Sequence, residues 1–259
     1  MNILQQIVAY KKEELKAKKK LVTAESLVDS KYFLQSCLSL KKNLLKKNAS
    51  GIIAEFKRKS PSKGFINEHA DVVQVTSDYK KYGASGLSVL TDSFFFGGSE
   101  NDILRASENN IPVLNKEFII DPYQVFATKA IGADVILLIA AVLTKEEVKR
   151  FARSAKELGL EILLEIHDKS ELGHICNDID MVGINNRNLR TFKVDINHSV
   201  YLSKLIPGDK IKIAESGIES ADTVKMLREE GFKGFLIGEK FMKESNPGLA
   251  CNNFIKQLK

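Results

Sequence analysis

The chain has 259 residues, 44% hydrophobic and 28% charged, enough for one large globular domain, and its longest apolar run, residues 135–143, is too short for a membrane-spanning helix of about 20 residues. The three cysteines are far apart and form no CxxC pair, which excludes a disulfide framework and a CxxC-type zinc site and favours a reducing, cytoplasmic location. The net charge of +6 is uneven: residues 1–50 hold 11 lysines against four acidic residues, so nucleic-acid binding would depend on that segment alone.

The first 50 residues predict a helical extension. Ile3, Ile7 and Leu15 recur near helical spacing among lysines, and a second helical stretch is predicted over residues 32–45. The lysines of residues 11–20 lack the interleaved aromatic side chains of platforms that bind single-stranded nucleic acid. We therefore interpret them as a solvated helix face, and we expect neither a nucleic-acid partner nor a membrane partner.

From Gly51 onward, eight short apolar runs alternate with polar segments of helical period. Parallel strands that alternate with helices produce this rhythm, and eight such units close a (β/α)8 or TIM barrel. An open doubly wound sheet usually carries a GxGxxG turn after its first strand, and none appears here. The predicted strands are residues 52–56, 87–90, 111–114, 135–141, 162–166, 181–184, 211–214 and 235–237.

Glycines support this division of the chain. Helix-like segments end at Gly83, Gly132, Gly159 and Gly231, and glycine suits the left-handed position that closes a helix. We therefore predict one TIM-barrel domain over residues 1–259, with the helical extension over residues 1–50 and the barrel over residues 51–259.

Polar residues follow seven of the eight predicted strands, and only the fourth strand lacks them. In a parallel barrel the carboxyl ends of the strands meet at one face, which holds the active site. Side chains two positions apart on a strand share a face, so the charged residues should lie directly above apolar residues of the barrel interior. Buried charges are costly unless they are paired or used, so an acid–base site is predicted rather than a set of solvated loop residues. The converging charged residues are Lys57, Lys116, Glu55, Glu165 and Glu215.

Five motifs resemble those of the indole-3-glycerol phosphate synthase family, in the same order and spacing across about residues 51–240. The motifs are IAEFKRKSPSKG (residues 53–64), KEFIIDPYQ (116–124), LEIHD (164–168), GINNRNL (183–189) and AESGI (214–218). The helical extension also resembles that family. Three positions differ from its usual pattern. Glu117 stands where the family usually has aspartate, Gly97 where it often has a larger polar residue, and Lys240 where small residues are common.

The resemblance implies a carboxy-lyase of tryptophan biosynthesis that needs no cofactor and no metal. Its substrate would be 1-(2-carboxyphenylamino)-1-deoxyribulose 5-phosphate, which undergoes ring closure, decarboxylation and dehydration to indole-3-glycerol phosphate. Lys116 would be the general acid at the ketone oxygen, and Glu165 the general base of dehydration. Lys57 would be a second acid or a clamp on the substrate carboxylate.

The resemblance also implies the residues that hold the substrate. Glutamates would orient the lysines and keep them protonated, an arginine would bind a carboxylate, and backbone N–H groups after the last two strands would bind the phosphate. His167 is interpreted as structural or peripheral. The residues expected to bind the substrate are Glu55, Ser60, Phe118, Asn185, Arg187, Leu189 and Glu215, and those expected to bind its phosphate are Ser216, Gly217, Gly238 and Glu239.

An alternative is another barrel that acts on sugar phosphates, such as phosphoribosylanthranilate isomerase. That family uses a Cys/Asp acid–base pair, whereas no cysteine here lies near the carboxyl end of a predicted strand. We expect a monomer or weak homo-oligomer whose partner is a small-molecule substrate.

Overall fold

Eight parallel strands form a closed barrel in the computed structural model, which describes residues 2–187 and 193–258. Each strand pairs with the next along the chain, and the eighth pairs with the first. The (β/α)8 or TIM-barrel prediction is confirmed. The strands are β1 (Ile52–Phe56), β2 (Gly86–Leu90), β3 (Val113–Lys116), β4 (Val135–Ile139), β5 (Glu161–Ile166), β6 (Met181–Asn185), β7 (Ile211–Glu215) and β8 (Gly234–Ile237).

Two strand boundaries differ clearly from the prediction. The third strand begins at Val113 rather than at residue 111, because Pro112 has no N–H to donate to the ladder. The fourth strand ends at Ile139 rather than at residue 141, because the chain turns there and Val142 N–H donates to the Ile139 carbonyl at 3.1 Å.

Helices link the strands and cover the barrel. The four glycines predicted to end helices all have positive φ. Within the described part of the chain, no helix combines the length and apolar character needed to cross a bilayer. The helices are α1 (Ile3–Leu21), α2 (Ala24–Leu27), α3 (Leu40–Leu44), α4 (Val72–Lys81), α5 (Ser93–Phe96), α6 (Glu100–Ser107), α7 (Tyr123–Ala130), α8 (Lys145–Glu157), α9 (Ile196–Ser203), α10 (Ala221–Glu229), α11 (Glu239–Met242) and α12 (Pro247–Lys256), with a 3₁₀ helix at Lys169–His174.

Strand alternation separates two apolar layers. Ile53, Leu163 and Ile213 belong to the cluster inside the barrel, whereas the other strand faces pack beneath the helices. Leu40 and Leu44 of α3 join the interior cluster and close its amino-terminal end. The remaining end of the interior, at the carboxyl termini of the strands, is where the charged residues lie.

The predicted helix over residues 32–45 is wrong except at its end, where α3 spans Leu40–Leu44. A new helix starts there because the Ser39 hydroxyl accepts from Lys42 N–H at 3.0 Å. Just before it, Leu38 N–H donates to Asp134 Oδ1 at 2.6 Å. The Leu38 N–H therefore binds a barrel carboxylate, whereas in a continuous helix it would donate to a backbone carbonyl one turn earlier.

The interpretation of the amino-terminal lysines as a solvated face is wrong for Lys11. Lys11 is only 2% exposed, and its Nζ lies 3.0 Å from Asp92 Oδ2 and 3.2 Å from Glu117 Oε2. Lys18 and Lys19 also pair with acidic side chains of the barrel. These contacts fix α1 across the carboxyl-terminal face of the barrel.

Candidate active site

A cavity of about 190 Å³ opens among the carboxyl ends of the strands. Every predicted site residue that the structure describes lines it, whereas Leu189 lies outside the described residues. Part of the wall comes from Ile3, Leu4 and Ile7 of α1, which the sequence analysis did not assign to the site. The predicted residues brought together here are Glu55, Lys57, Ser60, Lys116, Phe118, Glu165, Asn185, Arg187, Glu215, Ser216, Gly217, Gly238 and Glu239.

Lys116 lies between two carboxylates at the centre of this cavity. Its Nζ donates to Glu165 Oε2 at 2.7 Å and lies 3.2 Å from Glu215 Oε2. Burial by itself would lower the pKa of Lys116, but the charges of Glu165, Glu215 and Glu55 outweigh burial and raise this pKa. The Lys116 side chain, 15% exposed, is therefore an ammonium at neutral pH, and it can donate a proton.

The two carboxylates beside Lys116 differ in ionisation. Glu165 is 3% exposed, and burial opposes its charge, yet Lys116 and His167 hold its pKa well below the usual range. Glu215 is 1% exposed, and burial together with the charge of Glu165 raises its pKa to about 7, since Lys116 offsets burial only in part. One carboxylate is thus a ready base, while its neighbour is partly protonated.

Two glycines make room for the carboxylates. A Cβ atom at Gly183 on β6 would lie 1.9 Å from Glu215 Oε1, and one at Gly238 would lie 2.4 Å from Glu55 Oε1. Side chains at these positions would displace both carboxylates. Glu55 in turn holds the neighbouring ammonium, since Lys57 Nζ lies 2.6 Å from Glu55 Oε1.

The residues after β6 extend this network toward the cavity mouth. Asn185 Nδ2 donates to Glu165 Oε1 at 3.1 Å, and Arg187 N–H donates to Asn185 Oδ1 at 3.0 Å. The Arg187 guanidinium lies 3.7 Å from Glu239 Oε2, and Lys63 Nζ donates to Glu239 Oε1 at 2.5 Å. Two cations are therefore held at the mouth by one half-buried carboxylate.

The turn after β7 has an uncommon backbone conformation. Ser216 and Gly217 both have left-handed φ, 66° and 69°, and serine adopts that conformation rarely. The buried Asn186 holds the turn by donating to the Ser216 carbonyl at 2.7 Å. On the β1 side, the buried Ser60 hydroxyl has no hydrogen-bond partner among residues 2–187 and 193–258. The Ser60 hydroxyl is therefore available to a ligand.

His167, interpreted as structural or peripheral, does not line the cavity but contacts the Glu165 carboxylate that does. Its Nε2 lies 3.2 Å from Glu165 Oε1, and its Nδ1 lies 3.4 Å from Glu171 Oε2. Burial lowers the pKa of His167, but the two carboxylates outweigh burial and raise it to about 10. Strand alternation carried this signal, because His167 is two positions after Glu165 and so shares its face.

The cysteines and possible metal ligands lie apart from this chemistry. Cys37 is in the extension, Cys176 follows the 3₁₀ helix and Cys251 is buried in α12; none of the three lines the cavity. In the described ranges, no three His, Cys, Asp or Glu side chains are grouped so as to hold a metal ion. The Cys/Asp pair that the isomerase alternative needs is therefore not formed by these cysteines at the cavity.

Solved structures of other proteins resemble this fold. The chain matches 3-hexulose-6-phosphate synthase from Salmonella typhimurium with a TM-score of 0.63 at 14% identity, over 80% of this chain and 97% of the other. It matches the tryptophan synthase alpha subunit from Legionella pneumophila str. Paris with a TM-score of 0.60 at 15% identity, over 85% of this chain and 96% of the other. At such identities, these matches establish the barrel fold alone.

Sequence relatives are far more similar. Residues 4–258 match the family model described as indole-3-glycerol phosphate synthase. The chain is 46% identical over 258 residues to the indole-3-glycerol phosphate synthase of Bacteroides thetaiotaomicron, covering 99% of each chain. It is 41% identical over 259 residues to that of Caldanaerobacter subterraneus subsp. tengcongensis, again covering 99% of each. The chain therefore belongs to the indole-3-glycerol phosphate synthase family.

Proposed function

We propose that the cavity performs the family reaction through acid–base catalysis by Lys116, Glu165 and Lys57. As a member of this family, the chain is a carboxy-lyase of tryptophan biosynthesis. The substrate is 1-(2-carboxyphenylamino)-1-deoxyribulose 5-phosphate, and the product is indole-3-glycerol phosphate. One observation carries the division of roles. The Lys116 ammonium lies against the ionised Glu165 carboxylate and against the Glu215 carboxylate, which titrates near neutrality.

Lys116 acts in ring closure. When the carboxylate-bearing ring carbon attacks the ketone carbon, negative charge develops on the ketone oxygen. The Lys116 ammonium donates a proton there, an effect that typically contributes about 10²–10⁴-fold. Carbon dioxide then leaves, and its bonding electrons restore the aromatic ring.

Glu165 acts in the dehydration that follows. Its carboxylate removes a proton from the cyclised intermediate while the hydroxyl group leaves as water. Lys57 either protonates that hydroxyl or binds the substrate carboxylate before decarboxylation. Glu55 supports both possibilities for Lys57, because its carboxylate keeps the ammonium at the cavity wall.

The remaining residues hold the substrate. Phosphate oxygens accept from the N–H groups of the turn after β7 and of the segment after β8, and from the unpartnered Ser60 hydroxyl. Phe118 and α1 form the apolar wall for the aromatic ring, Asn185 and Glu215 position the polar groups, and Arg187 binds a carboxylate. The phosphate-binding residues are Ser216, Gly217, Gly238 and Glu239, and Leu189 stays a prediction for the apolar wall.

A decarboxylation assay tests this function. The purified protein is expected to release carbon dioxide and to form an indole chromophore from the carboxyphenylamino substrate, without added metal or cofactor. The isomerase alternative predicts instead that phosphoribosylanthranilate is consumed without gas release. Absence of carbon dioxide release from the correct substrate would overturn the proposal.

We also infer that the working form is a monomer or a weak homo-oligomer in the cytoplasm, with a small-molecule substrate and no nucleic-acid partner. This inference is supported by the way that every predicted site residue in the described ranges gathers at one cavity of the barrel. Light scattering after size-exclusion chromatography measures the mass directly. A tight tetramer would contradict the inference.

A further inference from the structure

Glu165 is held by contacts from three directions. Lys116 binds Oε2, while Asn185 and His167 both lie against Oε1, at 3.1 Å and 3.2 Å. Asn185 is neutral, so the charges that touch this carboxylate are those of Lys116 and His167. If Lys116 gives up its proton during the reaction, His167 is the remaining cation beside Glu165.

His167 is itself built into a chain of charges. Its two ring nitrogens face two carboxylates, Glu165 on one side and Glu171 of the 3₁₀ helix on the other. Neither ring nitrogen makes a well-aligned hydrogen bond within the described part of the chain. The backbone fixes the arrangement, because His167 N–H donates to Glu171 Oε2 at 2.6 Å. A ring between two carboxylates is stable as an imidazolium.

We propose that His167 is a positioning residue that keeps the Glu165 carboxylate ionised and oriented for proton removal. This inference rests on the proposed role of Glu165 as the base. His167 does not react with the substrate. It acts through Glu165, and its effect is greatest after Lys116 has donated its proton.

Other charged groups surround this pair. Lys116 of β3 favours the ionised form of Glu165, whereas the nearby carboxylate of Glu215 on β7 opposes it, and Glu55 of β1 interacts with Lys116 and Glu215. Around His167 lie Glu171 and Asp168 on the following turn, and His198 of α9, whose Nε2 meets the His167 carbonyl at 3.0 Å. Removing the imidazolium therefore takes from Glu165 one of the two cations, Lys116 and His167, that contact it among the described residues.

The test is the pH dependence of kcat/KM. In His167→Gln we expect the acid limb to move to higher pH by at least about one unit, since an adjacent opposite charge typically shifts a pKa by 1–3 units. We expect KM to change little, because the imidazole holds Glu165 rather than the substrate. An acid limb that coincides with that of the wild type would overturn the proposal.

Two further variants separate charge from shape. His167→Lys keeps a positive charge, and we expect its acid limb to stay near that of the wild type. His174→Gln is the matched control, because His174 faces only the backbone carbonyls of Glu171 and Leu143. A shift of the acid limb in His174→Gln equal to that in His167→Gln would contradict the proposal.

Two measurements keep the test decisive. The first is NMR titration of the wild-type histidines, in which the signal of His167 is identified by substituting the other three. We expect His167 to stay protonated at pH 8. A neutral ring at pH 7 would contradict the proposal. Glu165→Gln separates the two levels of the argument. If that variant keeps full turnover, the base assignment fails; if it is inactive while the acid limb of His167→Gln is unmoved, only the present inference fails.

Discussion

Glu215 and Glu165 are chemically alike, yet their surroundings give them different charges. Both are buried around the same ammonium, but Glu165 has a second cation in His167, whereas Glu215 Oε1 has no hydrogen-bond partner among the described residues. The first carboxylate is therefore ionised, and the second titrates near neutrality. Two copies of one residue type thus hold different protonation states at the same pH.

This difference predicts a pH dependence of stability. The pKa of Glu215 is about 7 in the folded chain and near 4.5 when unfolded, so the folded state binds the proton more tightly. The stability from this group is fully present below pH 4.5 and is lost as the pH rises to about 7. Relative to Glu215→Gln, the free energy of unfolding of the wild type should fall by a few kcal/mol across that window.

Urea unfolding of both proteins at pH 4.5, 6 and 7.5 measures the difference. Glu219→Gln is a suitable control, because Glu219 is an exposed acid near the same strand end. A wild-type advantage that grows as the pH rises would contradict the ionisation state assigned to Glu215.

Helix α1 shows how one element takes part in both stability and the site. Its apolar residues form a wall of the cavity, and Tyr10 stacks on Phe94 with ring centroids 4.6 Å apart. Its Lys11 lies among Glu14, Asp92 and Glu117, and these charges outweigh burial and raise the pKa of Lys11. Glu117 follows Lys116 directly, so docking of α1 and placement of the acid are linked through one short segment.

Removal of this cation should weaken the whole chain. Lys11→Met leaves the buried Asp92 and Glu117 without their partner, and breaking such a buried pair typically costs about 3–5 kcal/mol. We expect a lower urea midpoint and, because the α1 wall of the cavity loosens, a raised KM. Unfolding should occur in one cooperative transition if residues 1–259 form one domain. The exposed neighbour variant Lys12→Met should change stability by less than about 0.5 kcal/mol. Equal losses of stability in the two variants would show that the ion pairs of Lys11 do not hold α1 on the barrel.

Local patterns predicted the barrel because each strand repeats the same local rule. Period-two alternation placed Glu165 above Leu163 and Glu215 above Ile213, and these pairs share the inward face in the structure. Contacts between distant segments were not predictable in this way. The pairing of Lys11 with Glu117 joins residues 106 positions apart, and the bond from Leu38 N–H to Asp134 joins residues 96 apart. Such contacts depend on where the closed barrel places each segment, which no local pattern records.

In the whole barrel, the amino-terminal end is closed by apolar packing, whereas the carboxyl-terminal end holds the charged site. Leu40 and Leu44 of α3 close the amino-terminal end with apolar packing, and Gly86 leaves the space that Leu40 fills. The opposite end gathers charges that would be costly to bury singly and that α1 partly covers. Stability of the core and chemistry of the site are thus separated along the barrel axis, with α1 as the element that belongs to both.

The role of Lys116 as general acid of the ring closure can be measured on the variant Lys116→Met. The measured quantity is the rate of carbon dioxide release from the carboxyphenylamino substrate, with the exposed Lys149→Met as control. We expect the rate of carbon dioxide release by Lys116→Met to be about 10²–10⁴-fold lower than that of the wild type, with an unchanged circular dichroism spectrum. The rate of Lys149→Met should equal that of the wild type. A folded Lys116→Met variant that keeps more than a third of wild-type turnover would contradict the account.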